Sequence, residues 1–145
     1  MRSVHLQHDY PVDPERLWAL VTDFAALTEV MAGLATFTGL PQGRARTGQR
    51  LEVQVRLFGW LPPQPYVMEV LECDDGARRL RSSETGMGVR TWRHSLWVET
   101  TAAGARLSET IEIDAGWRTI AFTIWARFMY RARHKPRLRL LAIDH

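Results

Sequence analysis

RTWRHSLWVETTAAGARLSETIEID, residues 90–114, decides the fold. Trp92, Leu96 and Val98 alternate with polar residues, as the apolar face of a half-buried β-strand does. Leu107, Ile111 and Ile113 continue the same period in the second half. With Ala102–Ala103 as the loop, or the longer Thr101–Gly104, Val98 falls opposite Leu107 and Leu96 opposite Glu109. His94 then faces Ile111, and Trp92 faces Ile113. Every pair lies on one apolar face, whereas a three-residue loop would turn the second strand inside out. The stretch reads as an antiparallel hairpin.

Two polar residues interrupt that face. In this register His94 and Glu109 are diagonal neighbours, close enough for their side chains to meet. Two readings stay open. The imidazole and carboxylate satisfy each other within an apolar face, as buried polar groups commonly do. Alternatively they project into a cavity, as a polar contact for a ligand or as a general acid and base.

Upstream, Val4, Leu6, His8 and Tyr10 alternate as a first strand. Asp13 then fits an N-cap with Pro14 at the first helical position. Leu17, Trp18, Leu20, Val21 and Phe24 form a helical stripe, and Asp23 caps a second short helix reaching about Met31. Leu34–Leu40 is a weak strand. Leu51, Val53, Val55 and Leu57 alternate cleanly until FGWLPPQP breaks the pattern, since proline donates nothing to a ladder. Tyr66–Cys73 and Arg78–Thr85 are further strands, separated by Asp74-Asp75-Gly76, and Gly86–Gly88 is a turn. The Phe58–Pro65 segment is either a stiff aromatic rim or a rigid connector. Glu84, Arg56 and Arg90 are expected at the surface.

Downstream, Gly116 to about Leu141 carries a helical pattern. Trp117, Ile120, Ala121, Ile124, Trp125 and Phe128 make the apolar face, with Thr119, Thr123, Arg127, Arg131 and His134 mainly opposite. Pro136 is expected to end or kink the helix near Lys135. The order is one strand, two short helices, six strands and one long helix. An antiparallel sheet with helices gathered on one side, an α+β arrangement over residues 1–145 as one domain, satisfies it.

The formal net charge of +3 is modest, and much of the basic charge lies in RARHKPRLR, Arg131–Arg139. A global nucleic-acid surface is not expected, and any electrostatic partner is local to the C-terminus. Weak peripheral membrane contact by this basic tail is one such partner. An alternative reading of Arg127, Tyr130, Arg131 and His134 is anion recognition, against a plain solvated helix end. The lone Cys73 excludes an internal disulfide and reads as a small core residue. No signal peptide and no bilayer-length apolar run are evident, so a cytoplasmic protein is the expectation. The histidines show no metal-ligand spacing, and there is no nucleophile elbow, phosphate loop or dinucleotide fingerprint. No metal or cofactor is expected.

The whole chain resembles the SRPBCC superfamily, on the element order and on segments such as YPVDPERLWALVTDFAAL. This is the helix-grip fold shared by START lipid-transfer domains, polyketide cyclases and aromatases, and birch-pollen-allergen-like proteins. TWRHSLWVE, GARLSETIEID and RFMYRARHKPRL are similar to bacterial ligand-binding members. The resemblance implies a curved antiparallel sheet wrapped around the C-terminal helix, with an apolar cavity between them. It implies a hydrophobic ligand, such as a lipid, quinone, polyketide or aromatic metabolite, without fixing one activity. The expected cavity residues are Val53, Val55, Trp92 and Leu96 on the sheet and Trp117, Ile120, Ile124 and Phe128 on the helix. His94 and Glu109 supply the polar or catalytic contacts. An enzyme of the cyclase, aromatase or dehydratase kind is the alternative, and an interaction module using the basic tail or the Trp60 loop is a third. A monomer and a homodimer both remain open.

Overall fold

The computed structural model describes residues 2–143. Its elements run β1 (Arg2–Tyr10), α1 (Pro14–Val21), α2 (Phe24–Val30), β2 (Ala35–Thr38), β3 (Arg50–Leu57), β4 (Gln64–Asp74), β5 (Arg79–Gly86), β6 (Val89–Thr101), β7 (Gly104–Asp114), α3 (Thr119–Ala132) and α4 (His134–Ile143). A 3-10 turn, Gly116–Arg118, leads into α3. The strands form one antiparallel sheet in the order β1-β7-β6-β5-β4-β3-β2. This is the helix-grip α+β fold.

Local chemistry sets the element ends. The Asp13 carboxylate accepts the Glu15 backbone N–H at 2.8 Å with Pro14 at the first helical position, and Asp23 accepts from Ala26 at 3.0 Å. Each cap satisfies a donor that the first helical turn leaves free. The β6–β7 hairpin closes through Ala102–Ala103, with Thr101 paired to Gly104. Gly104 is required there: a Cβ would stand 2.5 Å from the Tyr10 carbonyl oxygen, where β1 runs past the turn. Register shifts at Val70/Glu72 and Glu84/Gly86 interrupt the β4–β5 and β5–β6 ladders, and such irregularities bend a sheet.

The hairpin register is the one the apolar pattern dictates: Val98 pairs with Leu107, Leu96 with Glu109, His94 with Ile111 and Trp92 with Ile113. The apolar members of these pairs, with Val4 and Leu6 of β1, form the floor of the core. The helices α1 and α3 pack on the strands at this edge of the sheet.

The last helix departs from expectation in two ways. It breaks at Arg133, three residues before Pro136, and then resumes, with Arg137 N–H donating to Arg133 O at 3.1 Å. Proline lacks an N–H for the carbonyl four residues back and its ring crowds that carbonyl, so the fault falls one turn upstream. The second departure is rotational. Thr119, Thr123, Ala126, Met129 and Tyr130 are buried against the sheet, whereas Trp117 is 90% exposed and Ile120, Ile124 and Phe128 are more than half exposed. The inward face is the small and polar one. Ala126, Thr119 and Thr123 let the helix approach the strands closely, which Trp117 or Ile124 in those places would prevent.

Candidate functional site

Between the sheet, α2 and α3 lies a cavity of about 470 Å³. Its walls are mostly apolar: Phe24, Leu27, Val30 and Met31 from the short helices, Phe122, Trp125 and Met129 from α3, and Val55, Met68 and Leu96 from the sheet. A cavity of this size is ample for a small organic molecule.

Of the residues expected on the sheet side, Val55, Trp92, Leu96 and His94 line the cavity. Val53 is buried nearby without reaching the cavity wall, and Glu109 lies behind it. The helix-side expectation is corrected. Trp117, Ile120, Ile124 and Phe128 face away from the cavity, and their places are taken by Phe122, Trp125, Met129, Tyr130 and Arg133.

A chain of polar groups crosses this apolar wall. Its deep end is a hydrogen-bonded triad. His94 Nε2 lies 2.7 Å from Glu109 Oε2, and Arg137 Nη1 donates to Glu109 Oε1 at 3.4 Å. All three residues are buried. Burial alone pushes the Glu109 carboxyl upward. The Arg137 charge, the His94 hydrogen bond and the nearby Arg133 outweigh burial and hold it down to about 2. Glu109 is therefore a fixed carboxylate with both oxygens engaged, suited to orienting His94 and neutralising Arg137. The other His94 nitrogen makes no hydrogen bond to the described residues.

Next along the wall stands Tyr130. Its hydroxyl oxygen accepts from Trp92 Nε1 at 3.1 Å, and its ring packs 4.8 Å from that of His94. Burial, reinforced by the charge of Glu84, raises its phenol well above the ordinary value, so Tyr130 remains an O–H donor at neutral pH. Arg133 reaches over the same ring, its guanidinium carbon 4.3 Å from the centroid, and its Nε donates to the Met31 sulfur at 3.2 Å.

The third group is Glu84, which the structure moves from the expected surface position to a buried one in the cavity wall. Tyr66 O–H donates to its Oε1 at 2.8 Å and Ser82 O–H to its Oε2 at 3.0 Å. A sequence signal for it existed. Leu80, Ser82 and Glu84 share one face of β5, so the inward position of Leu80 carries Glu84 inward too. Polar residues at Ser82 and Glu84 hide that alternation from any reading based on hydrophobicity.

Arg127, Tyr130, Arg131 and His134, weighed as an anion site against a solvated helix end, are not gathered into one cluster. Tyr130 points inward, Arg127 and Arg131 are exposed, and His134 stacks on His8 with ring centroids 4.6 Å apart. Arg56 is half-buried, donating to the Leu61 carbonyl, and Arg90 is exposed. Cys73 is half-buried, with its thiol raised chiefly by burial. In the Phe58–Pro65 segment, Phe58 meets Trp125 edge to face at 5.6 Å while Trp60 is 73% exposed.

Comparison with known proteins places this geometry in context. Residues 1–142 match the family described as polyketide cyclase / dehydrase and lipid transport. The chain is similar in structure to the AHSA1 protein from Silicibacter pomeroyi, at TM-score 0.80 and 16% identity, covering 99% of this chain and 100% of that one. It is similar to Ara h 8.0201, at TM-score 0.67 and 10% identity over 92% and 95% of the two chains. DynU16, a protein of the dynemicin biosynthetic locus, superposes at TM-score 0.63 and 15% identity, covering 92% of this chain and 46% of that one. At such identities these likenesses show the fold. No curated protein matches the sequence.

Proposed function

Because the chain belongs to the polyketide cyclase / dehydrase and lipid transport family, within the SRPBCC superfamily, we propose that its cavity holds one hydrophobic small molecule with an oxygen function at its inner end. A lipid, quinone, polyketide or aromatic metabolite meets that description. Arg133 carries the reading. Its guanidinium lines a mostly apolar cavity beside Tyr130, and among the described residues no carboxylate forms a salt bridge with it. A half-buried guanidinium whose one hydrogen bond among the described residues goes to a sulfur keeps donors for an anionic or carbonyl oxygen. Tyr130 O–H is a second donor beside it.

Anilinonaphthalene sulfonate, an aromatic anion, is a suitable probe. The expected result is saturable fluorescence enhancement with one site. Val55→Phe should weaken it by filling the cavity, and Arg133→Met should weaken it roughly tenfold by removing one charged hydrogen bond. Native mass spectrometry of the protein as purified checks for a resident molecule. If the probe does not bind, or binds Val55→Phe equally well, the reading fails.

A second reading, an enzyme of the cyclase, aromatase or dehydratase kind, is favoured by Glu84 and His94 lining one cavity from adjacent strands. A carboxylate and an imidazole there are competent to move protons on a carbonyl substrate. Glu109, behind the wall, positions His94 in this scheme. The discriminating variants are Glu84→Gln and His94→Asn, assayed with a linear polyketide mimic. Lost turnover with retained probe binding supports catalysis, and unchanged turnover removes it.

A further inference from the structure

The outer face of α3 is the least expected surface of the molecule. Trp117, Ile120, Ile124 and Phe128 stand on successive turns of its exposed side. Trp125 lies at the edge of this stripe and packs on both Phe128 and Phe58. Phe58 leads directly to Trp60, so one aromatic patch extends from the helix onto the neighbouring loop. No described element covers Trp117, Ile124 or Trp60. Monomeric proteins rarely expose contiguous apolar surface of this kind without a partner.

The charged residues that α3 and its leading turn contribute to the border of the patch are all basic. Arg118, Arg127 and Arg131 are exposed on α3 or its leading turn, and Arg2 shares a shallow groove with Ile120, Ile124 and Arg127. Residues 116–143 contain no aspartate or glutamate. A second copy docking through this face would bring two arginine-bordered surfaces together with no acidic residue in 116–143 to pair them, a repulsive arrangement. An anionic lipid surface meets both features. Its headgroups pair with the arginines, and its acyl boundary accepts tryptophan, isoleucine and phenylalanine. No described helix is long and apolar enough to cross a membrane, so the contact is in the plane of the interface.

We propose that the exposed face of α3, with the Phe58–Trp60 loop beside it, is a docking surface for an anionic bilayer. The residues that dock adjoin those that enclose the cavity. Ala121 and Trp125 line the cavity from the same helix, and Arg118 from its leading turn. Docking thus brings the cavity wall to the water–lipid boundary. This surface shares only Arg131 with the basic tail, and the inference does not depend on which molecule the cavity holds.

Co-sedimentation with vesicles tests it, using phosphatidylcholine alone and phosphatidylcholine mixed with phosphatidylglycerol. The expected result is salt-sensitive binding to the anionic vesicles and little to the neutral ones. Arg127→Glu with Arg131→Glu should reduce binding on the order of thirtyfold or more. Ile120→Ser with Ile124→Ser should reduce it roughly tenfold through lost apolar contact. An unchanged thermal transition secures both variants, and the single change Trp117→Ser gives the same readout if a double variant unfolds. Absence of vesicle binding, or binding indifferent to these changes, overturns the proposal. So does a dimer in sedimentation equilibrium that Ile124→Asp dissociates, because the face is then covered by a second copy.

Discussion

His94 on β6 and Glu109 on β7 are joined by a 2.7 Å contact between Nε2 and Oε2, beneath the wall of the cavity. The contact spans a diagonal of the hairpin, since His94 is directly paired with Ile111 and Leu96 with Glu109. It leaves the second carboxylate oxygen for Arg137 from α4. Two strands and the final helix are therefore tied at one carboxylate.

Replacing that carboxylate should be costly. Glu109→Gln leaves the Arg137 guanidinium buried without a counter-charge, and the expected loss is about 3–5 kcal/mol. Adding Arg137→Met should recover much of it, because the buried charge is then gone. Urea unfolding of the single and double variants measures both. A single-variant loss under about 1 kcal/mol would show that Arg137 reaches solvent.

Acid should act in two stages. His8 and His134 both sit below the ordinary histidine value of 6.5, chiefly through burial and then through each other or Arg137. The unfolded chain takes up these protons first, so stability falls as pH drops below 6.5 and levels out below their folded values. Glu109 has the depressed carboxylate pattern. Its contribution is complete above 4.5 and is lost as pH falls toward about 2. Urea midpoints measured across this range should decline in both windows, and His134→Gln should weaken the upper one alone. A curve flat down to pH 4.5 would contradict the histidine assignment.

Alkali should meet protected phenols. Tyr66 and Tyr130 are raised well above the ordinary 10.0, first by burial and then by the Glu84 charge, and Tyr10 is raised by burial against the opposing charge of Arg137. Raised values mean stability that is complete below pH 10 and lost as pH climbs through the folded values. Ultraviolet titration should therefore show little phenolate at pH 10, with ionisation appearing together with unfolding. Glu84→Gln should bring Tyr66 ionisation to lower pH.

The β5–β6 turn should control exchange of a bound molecule. Met87 there has a positive φ of 58°, unusual for a side-chain-bearing residue, and Arg118 donates to the Gly88 carbonyl at 3.1 Å. Met87 and Arg118 both line the cavity. Arg118→Ala should raise the association and dissociation rates of anilinonaphthalene sulfonate together, leaving affinity within about threefold. Stopped-flow fluorescence separates the two rates. A change in affinity with one rate constant unaltered would assign Arg118 to direct ligand contact instead.

The hairpin was legible because a period of two and a two-residue turn leave one register that keeps Trp92, Leu96, Val98, Leu107, Ile111 and Ile113 together. The caps at Asp13 and Asp23 were legible for a similarly local reason. The orientation of α3 was not. Hydrophobicity alone directs Trp117, Ile120, Ile124 and Phe128 inward, but close packing on β1 and β7 selects Thr119, Thr123 and Ala126. Size, set by a neighbour distant in sequence, overruled polarity. Arg133 and Arg137 were hidden similarly, since a basic run near a C-terminus reads as solvated until Glu109 and the cavity are in place. Glu84 was visible in the phase of β5 and obscured only by the polarity of Ser82.

The lapse in helical hydrogen bonding at Arg133, whose backbone stays in the right-handed helical region at φ −73° and ψ −18°, has a wider consequence for how this chain can vary. In an unbroken helix, rotation by one residue swings every side chain by about 100°, so a shift of α3 would drag Arg137 out of register with Glu109. The weakened hydrogen bonding at Arg133 loosens the link between the two segments. The upstream segment is free to diversify in what it presents outward, while the downstream segment keeps its anchor in the hairpin. One helix thereby carries two sets of constraints that sequence change can satisfy separately.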